Sequence, residues 1–158
     1  MDMAQTGQQA LASQSPPHRN DAALLMELAG TLGLEDETAR QFAGSGRLSL
    51  GDIEFALHTN DRSAHPRQLI AEAALACPPQ VERSTWHDAL LVANEAAMIS
   101  GEWGFVVDEE GAASLVMRVT ESMQTPACLR AVLEGMYELC TAVREGASAL
   151  PTSQRVSQ

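Results

Sequence analysis

The sequence predicts an α+β fold, an antiparallel twisted sheet flanked by helices in the order α-β-β-β-α-β-β-α. Three observations carry this. Two segments with helical periodicity, Thr85 to Ser100 and Thr125 to Glu145, bracket two alternating segments that meet at the turn Asp108–Gly111. A Leu-rich helical pattern opens the first half and leads into alternating runs around Gly51-Asp52. Strands grouped between helices, without a βαβ rhythm, point to an antiparallel sheet rather than a nucleotide-binding unit.

Each element has a local cause. Residues 1–19 are polar and close on Pro16-Pro17, so a disordered tail is expected there. Asn20 or Asp21 caps a helix carrying Leu24, Leu25, Leu28 and Leu32, and Gly33 stops it. Glu35, Asp36 and Glu37 read as an acidic surface turn, with Phe42 as an anchor. A short strand over Arg47–Leu50, a tight turn at Gly51-Asp52 and a strand with Ile53, Phe55 and Leu57 on one face follow. Asn60 to Pro66 is a polar connection. Gln68 to Ala76 groups Leu69, Ala71, Ala73 and Leu75 as a strand, although its alanines also permit a helix.

Cys77-Pro78-Pro79 breaks whatever precedes it. Thr85-x-x-Asp88 has the spacing of a capping box, and Trp86, Leu90, Ala93 and Ala97 share one face of the helix that follows. Ser100-Gly101 ends it. The hairpin alternates Trp103, Phe105 and Val107 on its first strand with Leu115, Met117 and Val119 on its second. Val106 and Val116 make the other side apolar too, which asks for cover on both faces. Thr125-Pro126 starts the last helix, with Leu129, Val132, Leu133, Met136, Cys140 and Val143 inward and Gly146 as its end. Cys128 is expected on that buried side as well. The plan makes residues 20–147 one domain and residues 148–158 a flexible tail.

Composition narrows the function. The 158 residues carry 10 Lys+Arg against 21 Asp+Glu, a net charge of −11, which repels nucleic acid and anionic membrane surfaces and either attracts basic protein segments or simply keeps the chain in solution. Three cysteines without paired ligand spacing suit a reducing cytoplasm. No apolar run is long enough for stable membrane insertion. His18, His58, His65 and His87 are scattered without a nucleophile, and Asp108-Glu109-Glu110 lacks the ligand series of a calcium loop. Gly44-Ser45-Gly46-Arg47 lacks the ending of a phosphate loop. No catalytic residue, metal site or cofactor is therefore expected, and a protein-binding scaffold is.

From Asn20 to Glu145 the chain resembles the small homodimeric chaperones of bacterial type III secretion. The resemblance lies in the leading helix ending Leu32-Gly33-Leu34, the strands after Gly46, and Leu90, Leu91 and Asn94 before Gly101-Glu102-Trp103-Gly104-Phe105 and Val106-Val107-Asp108. Its acidity and polar start are similar to those of broad-specificity effector chaperones from plant-pathogenic bacteria. The resemblance implies no bond-making chemistry. It implies a homodimer that binds the N-terminal segments of exported effectors and contacts the export machinery, the secretion ATPase included. A regulatory or structural interaction module outside secretion is the other reading.

Under that resemblance, Leu24, Leu25 and Leu28 with Ile53, Phe55 and Leu57 are the expected effector-binding residues, some of them shared with the core. Arg47, Arg62 and Arg67 are options for acidic effector groups, Glu54 and Glu72 for basic ones, and Met26 and Met98 for adaptable contacts. Trp86, Leu90, Ala93, Ala97, Trp103, Phe105, Leu115 and Met117 are the expected dimer surface, with burial inside one protomer the open alternative.

Overall fold

A computed structural model of the chain describes residues 19–59 and 68–150. The described chain runs α1 (Arg19–Leu32), α2 (Asp36–Ser45), β1 (Arg47–Leu50), β2 (Ile53–Thr59) and β3 (Leu69–Leu75). It continues through α3 (Arg83–Ser100), β4 (Trp103–Val107), β5 (Ala113–Val119), a 3-10 turn at Glu121–Met123 and α4 (Pro126–Ala149). Every strand pair is antiparallel, and the sheet order is β1-β2-β3-β5-β4. The α+β class and the expected element order hold, with one helix added.

One sheet face forms the core. Ile53, Phe55 and Leu57 of β2, Leu69, Ala71, Ala73 and Leu75 of β3, and Ala113 and Leu115 of β5 are buried together. Leu25 and Leu28 of α1, Phe42 of α2, Trp86 and Leu90 of α3, and Leu129, Leu133 and Met136 of α4 close the same cluster. Each large side chain so buried contributes about 1.5–3 kcal/mol. The alanines of β3 make a strand and not a helix because Leu69, Ala71, Ala73 and Leu75 alternate into the core and the segment pairs with β2 and β5 on either side. At the centre of the sheet, Ala71 and Ala73 let α4 lie close over it.

The added helix is α2. The acidic run taken for a surface turn is its first turn, where Asp36 and Glu37 face the positive end of the helix dipole. Only Ala39, Phe42 and Ala43 are buried, which is too short a stripe to stand out by periodicity. Glu37 adds an ion pair to Arg40 at 2.9 Å and accepts from Gln41 at 3.2 Å, the three- and four-residue spacings that support a helix.

Several local expectations are corrected. Helix α1 extends back to Arg19, so Asn20 and Asp21 lie in its first turn rather than capping it. The Thr85–Asp88 capping box does not form, because α3 starts at Arg83 with Glu82 before it and no side-chain cap bond. Cys128 is exposed while Cys140 is buried, since the two fall on different faces of α4. Gly146 does not stop α4, which is anchored beyond it by buried Ala147 and runs to Ala149. Thr125 does cap that helix, its Oγ1 accepting from the Cys128 N–H at 3.2 Å, with Pro126 at the first position. The expectations for the polar opening, for Asn60–Pro66 and for the chain after Leu150 lie outside the described residues.

Candidate functional site

A five-stranded open sheet has two edges, and here they are built differently. Gly46 ends α2 in the left-handed region, at φ 71°, and its carbonyl accepts from the Leu57 N–H at 2.8 Å. That bond fixes the phase of the β1–β2 ladder. Leu48 and Leu50 face β2 with their backbone groups, and Arg47 and Ser49 turn theirs outward. Ser45 Oγ takes the Arg47 N–H at 3.2 Å. The Arg47 carbonyl and both backbone groups of Ser49 have no partner among the described residues.

A groove of about 530 Å³ runs beside this edge. Leu34, Thr38 and Gln41 form one wall, Arg47, Leu48 and Ser49 the other, with Glu54 and Phe55 behind. The Arg47 side chain is exposed and unpaired among the described residues. The hairpin is tied down at its tip, where Asp52 Oδ2 accepts from Arg144 Nη1 of α4 at 2.7 Å. That guanidinium holds the Asp52 carboxyl below its ordinary value. Gly51, with φ 60°, makes the tight turn against the Tyr137 ring, which leaves no comfortable room for a β-carbon.

The opposite edge belongs to β4. The Arg118 N–H bonds Glu102 O and the Asp108 N–H bonds Ala112 O, each at 2.9 Å, so Trp103, Phe105 and Val107 point their backbone groups outward. The middle position is already filled. Asn94 of α3 donates through Nδ2 to the Phe105 carbonyl at 2.9 Å and accepts the Phe105 N–H on Oδ1 at 2.7 Å. Its amide takes the place of one residue of a neighbouring strand.

Beyond Asn94, the outer side of α3 is apolar. Leu91, Val92, Met98 and Ile99 are 65%, 67%, 83% and 90% exposed, and they repeat at seven residues. Helix α3 packs along β4, whose Val106 and Val107 are exposed too. An apolar face of this kind on a folded chain marks an interaction surface.

The expected site residues divide sharply. Leu25, Leu28, Ile53, Phe55 and Leu57 lie in the core at 0–1% exposure, and Leu24 is partly buried against it. Phe55 still reaches the groove from within. Trp86, Leu90, Ala97, Phe105 and Leu115 are likewise buried inside the protomer, with Ala93, Trp103 and Met117 partly buried against the core. Trp103 and Phe105 meet edge to face at 5.9 Å. The helix that sequence reasoning assigned to association is apolar on two faces, and its tryptophan drew attention to the inner one. The other face carries Leu91-Val92 and Met98-Ile99, two aliphatic pairs seven residues apart and off the Trp86–Leu90–Ala97 face. Glu54 and Glu72 do share the sheet's outer face, where Glu72 Oε2 is 3.5 Å from His58 Nε2. Arg62 and Arg67 lie outside the described residues.

Cys77 and Cys140 sit in environments that favour the neutral thiol. The buried Cys140 thiol is pushed up to about 12 by desolvation, and burial also raises Cys77. Both are therefore poor thiolates. Among the described residues no group of three or more His, Cys, Asp or Glu side chains could hold a metal ion. No described helix is long and apolar enough to cross a membrane.

Comparison with known proteins decides the family. A profile of the Tir chaperone protein (CesT) family matches residues 23–144. The chain belongs to that family. No curated protein matches it. Two complexes are among the solved structures that share its fold. A chain of the ExsC-ExsE complex superposes with a TM-score of 0.60 at 20% identity, over 84% of this chain and 95% of that one. A chain of the HopA1-SchA chaperone-effector complex gives 0.54 at 13% identity, over 92% and 98%. The CesT-family chain thus has the type III secretion chaperone fold, and its matched region spans both sheet edges.

Proposed function

We propose that this CesT-family chain is a non-catalytic, cytoplasmic, homodimeric chaperone that binds N-terminal segments of several type III effectors. It keeps them extended and export-competent and delivers them to the secretion apparatus, its ATPase included. The observation that carries this reading is the open β1 edge beside the groove under α2. An extended segment added there gains backbone hydrogen bonds from Ser49 and the Arg47 carbonyl and lays alternate side chains toward Leu34, Leu48 and Phe55. Backbone pairing reads no side chain, so such a site suits many clients. The HopA1-SchA structure is of a chaperone-effector complex, which favours the same role here.

Of the six residues first assigned to cargo, Leu24 alone keeps surface for direct contact, and Phe55 supplies the floor of the groove. The other four hold the wall in shape from inside. The second copy of the chain takes the outer side of α3. Leu91, Val92, Met98 and Ile99 offer a self-complementary stripe for a two-fold contact, with Val106 and Val107 at its flank.

Co-expression with effector N-terminal fragments tests the reading. The chain is expected to co-purify with several unrelated fragments and to protect each from proteolysis. Failure to retain any effector fragment, in a chain with native helix and strand content, contradicts it.

A further inference from the structure

The asymmetry of the two edges has a consequence for self-association. An open sheet with two free edges is a template for head-to-tail growth, since the first edge of one copy fits the last edge of the next and the contact never closes. This sheet needs β1 open if it is to pair with an extended segment. A free β4 would then add to the β1 of another copy and occupy the place of the cargo.

We propose that Asn94 is the residue that prevents this, by closing β4 to strand addition so that the β1 edge stays available. The geometry is specific. Strand addition at β4 requires the outward groups of Trp103, Phe105 and Val107 in succession, and Asn94 holds both groups of the central residue at 2.7 and 2.9 Å. Asn94 is half-buried between α3 and β4, so an incoming strand would have to displace a satisfied amide. At β1 the corresponding protection is partial. Ser45 takes only the Arg47 N–H, and Ser49 keeps both its groups outward. The side-chain stripe of α3 is left to make a discrete contact without a backbone ladder running through it. The proposal rests on the strand-addition reading of β1 for its purpose, and on the β4 geometry alone for its mechanism.

The test is the mass of the full chain by light scattering across a concentration series. Wild type is expected to keep one mass. Asn94→Ala is expected to grow with concentration beyond the wild-type mass by at least about twofold, as an open-ended series does. Adding Ser49→Pro to Asn94→Ala removes the outward N–H of β1 and is expected to restore the wild-type mass. A short synthetic peptide of alternating Thr and Val is expected to reverse the growth by taking β1. If growth occurs and Ser49→Pro cures it while the peptide has no effect, the role of Asn94 stands and strand addition by cargo falls. Asn94→Ala with native circular dichroism and unchanged mass overturns the proposal, as does growth that Ser49→Pro leaves intact. Should Asn94→Ala not fold, Asn94→Asp, which sets a carboxylate against the Phe105 carbonyl, is expected to show the same growth. In wild type itself, the Phe105 amide must exchange at least about a hundredfold more slowly than the outward Val107 amide. Equal rates overturn the proposal without any variant.

Discussion

The β1 edge and the β4 edge end the same sheet and answer the same physical problem in opposite ways. At β4, Asn94 fills the central backbone position, and the surface beyond it is a ridge of exposed aliphatic side chains on α3. At β1, Ser49 turns its backbone groups outward, without a partner among the described residues, and a groove lies alongside. An edge with unsatisfied groups and a groove suits a partner that brings its own backbone. An edge already satisfied, flanked by apolar side chains, suits a folded partner that packs face to face. The two regions also differ in polarity, since Thr38, Gln41, Arg47, Ser49 and Glu54 share the groove with Leu34, Leu48 and Phe55, whereas the α3 ridge is aliphatic.

The comparison can be broken most severely through the wall that the groove shares with the core. Phe55→Ala is expected to cost about 3–5 kcal/mol in urea unfolding, since it opens a cavity behind the groove. A loss below about 1 kcal/mol would mean that the groove is not floored by the core. Next, Met98→Asp with Ile99→Asp is expected to weaken self-association by about 2 kcal/mol or more, as loss of central interface side chains does. Light scattering reads this directly, and effector capture per folded protomer at β1 is expected to survive. An unchanged mass would remove α3 from the contact.

Ser49→Pro probes the other edge. It withdraws one outward donor and is expected to weaken an effector segment by about 0.5–1.5 kcal/mol by calorimetry, with self-association unaltered. The smallest effect belongs to the tie at the hairpin tip. Asp52→Asn is expected to change stability by about 0–1 kcal/mol, because the Arg144 pair is largely exposed. Its sign with pH is fixed. The Asp52 value is lowered in the folded chain from an ordinary 3.8, so the contribution is full above that value and fades as pH falls through the lowered one. Acid unfolding curves of wild type and Asp52→Asn are thus expected to converge below it.

Much of the fold was legible because strong periodicity and strong stop signals coincided. Ile53-Phe55-Leu57 and Leu69-Ala71-Ala73-Leu75 alternate cleanly, and Thr125-Pro126 marks a helix start. Helix α2 was not legible, since three buried residues in ten leave almost no stripe. The site was harder. Leu28 and Ile99 are both aliphatic residues on helices, yet one is wholly buried and the other is 90% exposed. Which aliphatic side chains face inward depends on what each element packs against, and that follows from the strand order β1-β2-β3-β5-β4, which no local pattern states. The role of Asn94 was equally hidden. Its partner Phe105 is a backbone position eleven residues on, and the bond exists only because β4 is an edge.

Amide hydrogen exchange on the chain with and without a bound effector N-terminal segment measures the central claim directly. The open-edge account predicts new protection at Ser49 and its neighbours in Arg47–Leu50, with Trp103–Val107 unchanged. Protection that appears along Trp103–Val107 while Arg47–Leu50 exchanges as before would contradict it.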